Sequence, residues 1–428
     1  MFRFSSHSWH AILLFVLLLP TTLSASQQIS DKVSVDGVVR SRVEIDGRDF
    51  DQDTGMYSYG LLRTMLGVRV TPNDKLTIRI KVKDSRVLGT TGSNSISSNF
   101  LDLQEGYLVS HNFLNLPVDL QIGRYEMMYG RRRILGNGGW NNYGPRTYDG
   151  FRVIYDKDDS FTHFFYATIV ERSYASVPPY TGDAFDKQDR HLFGITGSYM
   201  QGFLQPILMI DYDPRTAPSP SQNDALYMIT AANYLKYRSG NISADFDLGY
   251  QYGQRWDHAY YAGTSTFDLT AWLAALDIAY TFDHSTKPSL GVGFDATSGT
   301  SFEDEANHED HVFYIPFMSR HAYRGYMDYF KDVRYGLLDM MVKAGVKPWE
   351  GTQIDLTFHN FSYLESSQTS VVDDGEKALG QEFDLRIRKS LSPGFNMDMI
   401  LCRFHPGDAM SQSGDPSHFA ALTLSATF

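Results

Sequence analysis

The densest chemistry in this chain is a run of arginines. Residues 123–153 read GRYEMMYGRRRILGNGGWNNYGPRTYDGFRV and carry Arg124, Arg131, Arg132, Arg133, Arg146 and Arg152. A guanidinium offers a planar fork of donors that grips a carboxylate through two parallel hydrogen bonds. Six of them in one stretch suit an anionic, carboxylate-bearing ligand. They equally suit internal pairing of Arg124 with Glu126 and of Asp149 with Arg152, or contact between loop arginines and anionic lipopolysaccharide. More basic residues recur at every second position: Arg40 and Arg42; Arg79, Lys81 and Lys83; Lys343 and Lys347; Arg386 and Arg388. Asp36, Asp119, Asp277, Asp339, Asp355 and Asp384 share their parity. Either the two signs form salt bridges across neighbouring strands, or the cations form a path for anions.

Other chemistry is sparse. Asn307-His308-Glu309-Asp310-His311 is the one dense group of metal-type ligands, and a solvated acidic loop explains it as well as a cation site does. No GxSxG, HExxH, GxxxxGK[ST] or GxGxxG motif occurs, so no catalytic set and no cofactor is expected. One cysteine, Cys402, rules out a disulfide framework and a Cys-based zinc cluster. With 38 Lys+Arg against 50 Asp+Glu, the net charge of −12 argues against nonspecific nucleic-acid binding.

The elements that must hold these residues alternate with period two. Leu76, Ile78, Ile80 and Val82 oppose Thr77, Arg79, Lys81 and Lys83; Phe383, Leu385 and Ile387 oppose Glu382, Asp384, Arg386 and Arg388. Eighteen such segments are expected, starting near residues 33, 58, 75, 101, 117, 149, 161, 190, 203, 226, 240, 269, 288, 334, 351, 378, 394 and 417. Their connections alternate. Tight turns such as Thr71-Pro72-Asn73-Asp74 and Leu391-Ser392-Pro393-Gly394 are followed by long stretches, the longest near 127–148, 173–189 and 300–333. A soluble sandwich has no reason to segregate its loops in this way. The expectation is an all-β fold: a closed antiparallel transmembrane β-barrel of about 18 strands, with short periplasmic turns and long extracellular loops. An interior of that width is too large for strand side chains alone to fill, so it is a channel unless loops plug it. Two loops, 127–148 and 300–333, are long enough to fold inward.

Composition fits this reading. No segment after residue 30 holds the roughly 18 consecutive apolar residues of a membrane helix. The 28 Phe and 27 Tyr are expected in girdles at the two lipid interfaces. Arg3, the apolar run Ala11–Leu19, Pro20 and the small residues Ser24, Ala25 and Ser26 have the layout of a secretory signal peptide over residues 1–25, leaving a barrel over 26–428. The final segment alternates Leu422, Leu424, Ala426 and Phe428 with Thr423, Ser425 and Thr427. Such an ending, with its terminal Phe428, suits recognition by the outer-membrane assembly machinery. The expected setting is the bacterial outer membrane, with its lipid and lipopolysaccharide as neighbours.

The arginine-rich stretch also resembles the alginate export family of outer-membrane proteins, whose motif runs G-R-Q-E-x-x-Y-G-x-x-R-L-x-G…W-x-N-x-G-R-x-F-D-x-x-R. Gly123, Arg124, Glu126, Tyr129, Gly130, Arg133, Gly136, Trp140, Asn142, Gly144, Arg146, Asp149 and Arg152 match it position by position. Tyr125 replaces a usual Gln, Arg131 a frequent acid, and Pro145 is inserted before Arg146. The segment His321-Ala322-Tyr323-Arg324-Gly325-Tyr326-Met327-Asp328 is similar to the family's H-x-F-x-G-x-x-D, and Glu382-Phe383-Asp384-Leu385 to its E-x-D-L strand. The resemblance implies an 18-stranded barrel that passes an anionic polysaccharide, an alginate-like polyuronate, by passive diffusion through a basic lumen. A porin for small anionic solutes or oligosaccharides, or a plugged structural or adhesive barrel, are the rival expectations. On the leading one, Arg79, Lys81, Lys83, Arg124, Arg133, Arg146, Arg152, Arg386 and Arg388 contact the substrate, and Glu126, Tyr129, Trp140, Asn142, Asp149, His321 and Asp328 support the motif.

Overall fold

The computed structural model describes residues 27–428 except 52, 54, 89–99, 143, 171–188, 215–225, 257–265, 332, 366–374 and 411–413. The signal segment, residues 1–25, lies outside the described residues. Eighteen long strands form one antiparallel sheet: β1 (Val33–Gly47), β2 (Tyr57–Asn73), β3 (Leu76–Val87), β4 (Phe100–Ser110), β5 (Asp119–Glu126), β6 (Thr147–Lys157), β7 (Ser160–Val170), β8 (Arg190–Ser198), β9 (Leu204–Asp213), β10 (Leu226–Ser239), β11 (Ile242–Trp256), β12 (Thr266–Thr281), β13 (Ser289–Thr297), β14 (Leu337–Val346), β15 (Thr352–Ser362), β16 (Ala378–Ser392), β17 (Phe395–Pro406) and β18 (Ser417–Thr427). Every one begins within three residues of its sequence-based position. The short strand Gln27–Ser30 folds back onto the start of β1.

Each strand pairs with its sequence neighbours, and β18 pairs with β1 from Val38↔Thr427 to Gly47↔His418. That last ladder closes the sheet. Phe428 completes the seam: its N–H donates to Gly37 O at 3.1 Å, and its own carbonyl accepts from Gly37 N–H at 2.9 Å. Closure matters because hydrocarbon offers backbone amides no alternative partner. Between the described strands, the connections at one end run from two to eight residues and at the other from nine to thirty-nine.

Alternation sorts the faces. On β1, Arg40, Arg42 and Glu44 are buried inward, while Val39 and Val43 are exposed on the outside. Ile80, Leu108, Ile122, Leu208, Trp272 and Val342 are likewise exposed, forming an apolar belt for lipid. The aromatic surplus divides in two, which corrects the girdle expectation. Tyr57, Tyr237, Tyr250, Tyr252 and Tyr280 face outward, but Tyr125, Tyr148, Phe165, Phe313, Phe361 and Phe404 are buried inside. The interior aromatics exist because loops 127–146 and 298–336 fold into the lumen and must pack against its wall. Three apolar clusters result, joining Leu135 and Phe317 to Phe165, Phe313 and Ile315 to Leu273, and Phe330 to Phe361 and Phe404.

The belt predicts an asymmetric cost for charge. Val342→Arg, mid-strand on the outer face of β14, should destabilise the barrel by about 2–4 kcal/mol in lipid vesicles. Leu114→Arg, in the connection after β4, should change stability by less than about 0.5 kcal/mol. Denaturant titration monitored by tryptophan fluorescence measures both.

Candidate functional site

The site is built from β5, β6 and the loop between them. Register sets Arg124 opposite Asp149 and Gln121 opposite Arg152. Because alternate residues face opposite ways, the two motif arginines separate. Arg124 shares the parity of the lipid-exposed Ile122, is one-third exposed, and holds Asp149 through two bonds of 2.7 Å. Arg152 points inward, where its Nε donates to Gln121 Oε1 at 3.0 Å and its Nη1 to the Tyr129 hydroxyl at 3.1 Å.

Past β5 the chain turns into the lumen. Arg133 is fully buried and bonds the carboxylates of Asp247 on β11 and Asp295 on β13. Arg131 reaches Asp247 and, at 2.7 Å, Asp277 on β12. Burial alone would weaken the charge on Arg133, but Asp295 and Asp247 outweigh it and hold its affinity for the proton above the ordinary guanidinium value. The loop then crosses to the opposite wall. Arg40 on β1 donates to the carbonyls of Gly139, Trp140 and Asn141 at 2.9–3.2 Å, and Arg63 on β2 to those of Gly139 and Asn141 at 3.1 Å. Arg146 donates to Gly136 O at 3.3 Å, so it braces the loop from within.

The second motif meets this crossing. Gly136 N–H donates to Phe317 O at 2.7 Å, Ser319 N–H to Arg132 O at 3.0 Å, and the Tyr323 hydroxyl to Arg131 O. Arg133 lies 4.1 Å over the Tyr323 ring. Burial raises the Tyr323 hydroxyl above the usual phenol range against the pull of Arg133 and Arg131, and pushes Tyr326 up to about 12, so both stay neutral. Trp140 is enclosed by the Arg42 guanidinium at 3.9 Å, His321 at 4.9 Å and Tyr326 at 5.8 Å. His321 Nδ1 lies 2.9 Å from Asp328. The third motif closes the set: Glu382 on β16 accepts from Met327 N–H at 3.0 Å. Gly325, at φ +74°, passes so close to that carboxylate that a Cβ would overlap it. Three motifs, separated in sequence by up to 250 residues, thus build one constriction.

Beside it, at the long-loop end, a cleft of about 340 Å³ is lined by Arg48, Tyr59, Arg86, Trp140, Asn142, His321 and Asp328. Four of the predicted motif residues share this space. Asn142 is fixed there by its Nδ2 donating to Arg86 O at 2.9 Å and by its Oδ1 accepting from Arg40.

The predicted basic residues are placed as follows. Arg79 grips Asp36 (2.9 Å) and Glu105 (3.1 Å); Arg386 holds Asp398 at 2.6 Å and Tyr326 at 3.0 Å; Arg388 holds Asp355 at 2.6 Å. Lys81 lies 3.6 Å from Glu126 and 3.8 Å from Glu105, and Lys83 3.7 Å from Asp102. Pairing therefore runs through the wall, and the inner surface is charge-matched rather than uniformly basic. Glu126 also accepts from Gln104 and Asn137 at 3.2 Å, tying the loop base to β4. Arg63, Asp247 and Asp295 were not singled out from the sequence, although Asp247 and Asp295 alternate with Phe246, Leu248 and Phe294 as inward residues should. Of the candidate cation loop, Asp304, Glu309 and His311 converge within 4.8 Å, whereas His308 turns to the Phe267 ring.

The family model described as Alginate export matches residues 32–421. The chain belongs to the alginate export family. It is an outer-membrane β-barrel channel, and its setting is the bacterial outer membrane. No curated protein sequence matches it. Among solved structures it is similar in fold to Pseudomonas aeruginosa OccK11 (11% identity, TM-score 0.59, covering 96% of this chain and 99% of that one). P. aeruginosa OprD (12%, 0.58, 95% and 97%) and P. aeruginosa OpdK with vanillate (14%, 0.55, 93% and 98%) share the same architecture.

The burial contrast between arginines predicts unequal effects. Arg133→Gln leaves Asp295 buried without its guanidinium and Asp247 with Arg131 alone, and should cost about 3–5 kcal/mol. It should also open residues 127–146 to protease in the folded barrel. Arg124→Gln breaks an exposed pair and should cost less than about 1 kcal/mol. Limited proteolysis and denaturant titration of the two variants check this.

Proposed function

We propose that this channel passes acidic saccharides of the alginate type, moving them by diffusion past the constriction where loops 127–146 and 298–336 meet. The observation that carries the reading is the cleft around Trp140. An indole face presents a flat surface to the apolar face of a sugar ring, and the cleft is also lined by His321 and by Arg48 and Arg86, which hold Asp46 and Asp84 and keep donors to share with a ring's carboxylate. The Arg42 guanidinium, 3.9 Å over the ring, keeps that platform in place.

Below the cleft the arginines and lysines have different work. Arg133 and Arg146 are consumed in holding the loop, and Arg79, Arg386 and Arg388 are held by short ion pairs. Lys81 and Lys83 sit 3.6–3.8 Å from their carboxylates, the loosest of the inward pairs named here. A passing carboxylate exchanges with such partners at little cost, and weak binding at several sites is what conduction needs. Arg152, bonded to a neutral amide and a phenol, adds one more cation without a carboxylate partner among its bonds. Arg124 faces outward with Asp149 and is assigned to the rim, beside lipopolysaccharide.

A second reading has an observation of its own. Two inward loops narrow the lumen, and one similar barrel, OpdK, was solved with vanillate, a small carboxylated ring. On that reading the chain is a porin for small acids, and polymer is excluded.

Single-channel recording in planar bilayers separates the two. Oligouronates should block the pore reversibly, neutral oligosaccharides of equal length should not, and Trp140→Ala or Lys81→Gln with Lys83→Gln should weaken the block several-fold. Equal block by neutral and acidic chains would overturn the proposal. Conductance modulated by vanillate but indifferent to oligouronates would assign the second reading.

A further inference from the structure

A group of donors on β15, β16 and β17 lies behind the constriction, touching it through the bond from Met327 N–H to Glu382. Glu382 and Asp384 lie two apart on the inward face of β16. Register places His359 of β15 opposite Glu382, and Cys402 of β17 opposite Asp384. One ligand atom each from Glu382, Asp384 and Cys402 lies within 4.8 Å of the others. The three residues are 0%, 3% and 6% exposed, covered by Phe361, Met327 and Phe404.

Buried carboxylate oxygens without partners are costly. Here Glu382 Oε2 and Asp384 Oδ1 are buried and accept no hydrogen bond. Each carboxylate's position is nevertheless well defined. Glu382 is oriented by Met327 N–H on its other oxygen, and Asp384 Oδ2 lies 3.5 Å from His359 Nε2. His359 is itself oriented, with Nδ1 2.7 Å from Asp339 Oδ2. A carboxylate on one imidazole nitrogen, leaving the other turned toward anionic donors, is the outer-shell arrangement that aims a histidine at a metal.

We propose that Glu382, Asp384 and Cys402 bind a divalent cation of the zinc class, with His359 Nε2 as the fourth donor. Two carboxylates, a thiolate and an imidazole suit a borderline-soft ion better than calcium or magnesium, which take oxygen donors alone. Bonds of about 2.0–2.3 Å require ligand atoms within about 4 Å of one another, so modest side-chain rotation closes the group around an ion. Binding releases to solvent the Cys402 thiol proton, the proton held between the two carboxyls and any proton on His359 Nε2, since each donor coordinates in its deprotonated form. The ion would satisfy the orphaned oxygens and fasten the segment around Met327 to the wall through Glu382, making the fit of loop 298–336 depend on metal.

The test uses the full mature chain, untagged, refolded from urea into detergent with one equivalent of Co²⁺ or Zn²⁺, so that burial does not bar entry. Wild-type protein should retain one ion through gel filtration. The Co²⁺ form should show a thiolate-to-cobalt charge-transfer band together with the visible bands of four-coordinate cobalt. Cys402→Ser should lose the charge-transfer band. Asp384→Asn should lose stoichiometric metal, with heat-modifiable electrophoretic mobility confirming that both variants fold. His311→Ala, in the separate Asp304–Glu309–His311 group, should change neither readout. Folded wild-type protein that retains no ion would overturn the proposal, leaving the two carboxyls to share protons. Retention without the charge-transfer band, or retention lost in His311→Ala, would overturn it too.

Discussion

A strand placed in hydrocarbon has to find a partner for every amide on both of its edges. In this chain the condition is met only because β18 returns to β1 and the sheet has no free edge. Much of the rest follows from that closure. Alternation along each strand then has a fixed meaning, with Ile80 and Val342 in lipid and Arg79 and Lys343 in the interior. Eighteen strands also enclose more space than their own inward side chains can fill. The interior must hold water or something else the chain supplies.

The chain supplies two loops. Residues 127–146 and 298–336 leave the long-loop end and pack against the wall through Phe165, Leu273 and Phe404, burying aromatics that would otherwise be interfacial. Their entry and exit are tightly tailored. Gly299 and Gly336 approach so closely at the two ends of the longer loop that a Cβ on Gly299 would overlap the Gly336 backbone. Inside, the loops place backbone carbonyls over Arg40 and Arg63 and bring Arg133 to Asp247 and Asp295. A buried guanidinium tolerates desolvation only with such partners. Arg40, Arg63 and Arg133 are thus committed to building the constriction.

That commitment divides residues that look alike in sequence. Arg133 is a structural cation, Arg124 a rim cation, and Arg152 an inward cation bonded to neutral groups. Lys81 and Lys83 keep the longer, exchangeable pairs. On the proposed reading, selection along such a path rests on a few loosely held charges beside an aromatic platform, because the inner wall is charge-matched and not a continuous basic surface.

How much of this was legible in sequence depends on the range of the signal. Period-two alternation and the long–short rhythm of connections are local, and they sufficed for the class of fold, the number of strands and their positions to within three residues. The three motifs were visible as well, as was the inward parity of Arg79, Arg386 and Asp384. What parity cannot carry is who sits across the lumen. The pairing of Arg133 with Asp247 and Asp295 joins residues more than a hundred positions apart. The contact of Trp140 with His321 joins two loops, and the convergence of Cys402 with Glu382 and Asp384 follows from strand register. Sequence by itself determined the cylinder, because its hydrogen bonds link neighbours in the chain. Only the tertiary structure decided what fills it, because two loops folding across a wide interior can satisfy their charges on many walls, and three-dimensional packing selects which.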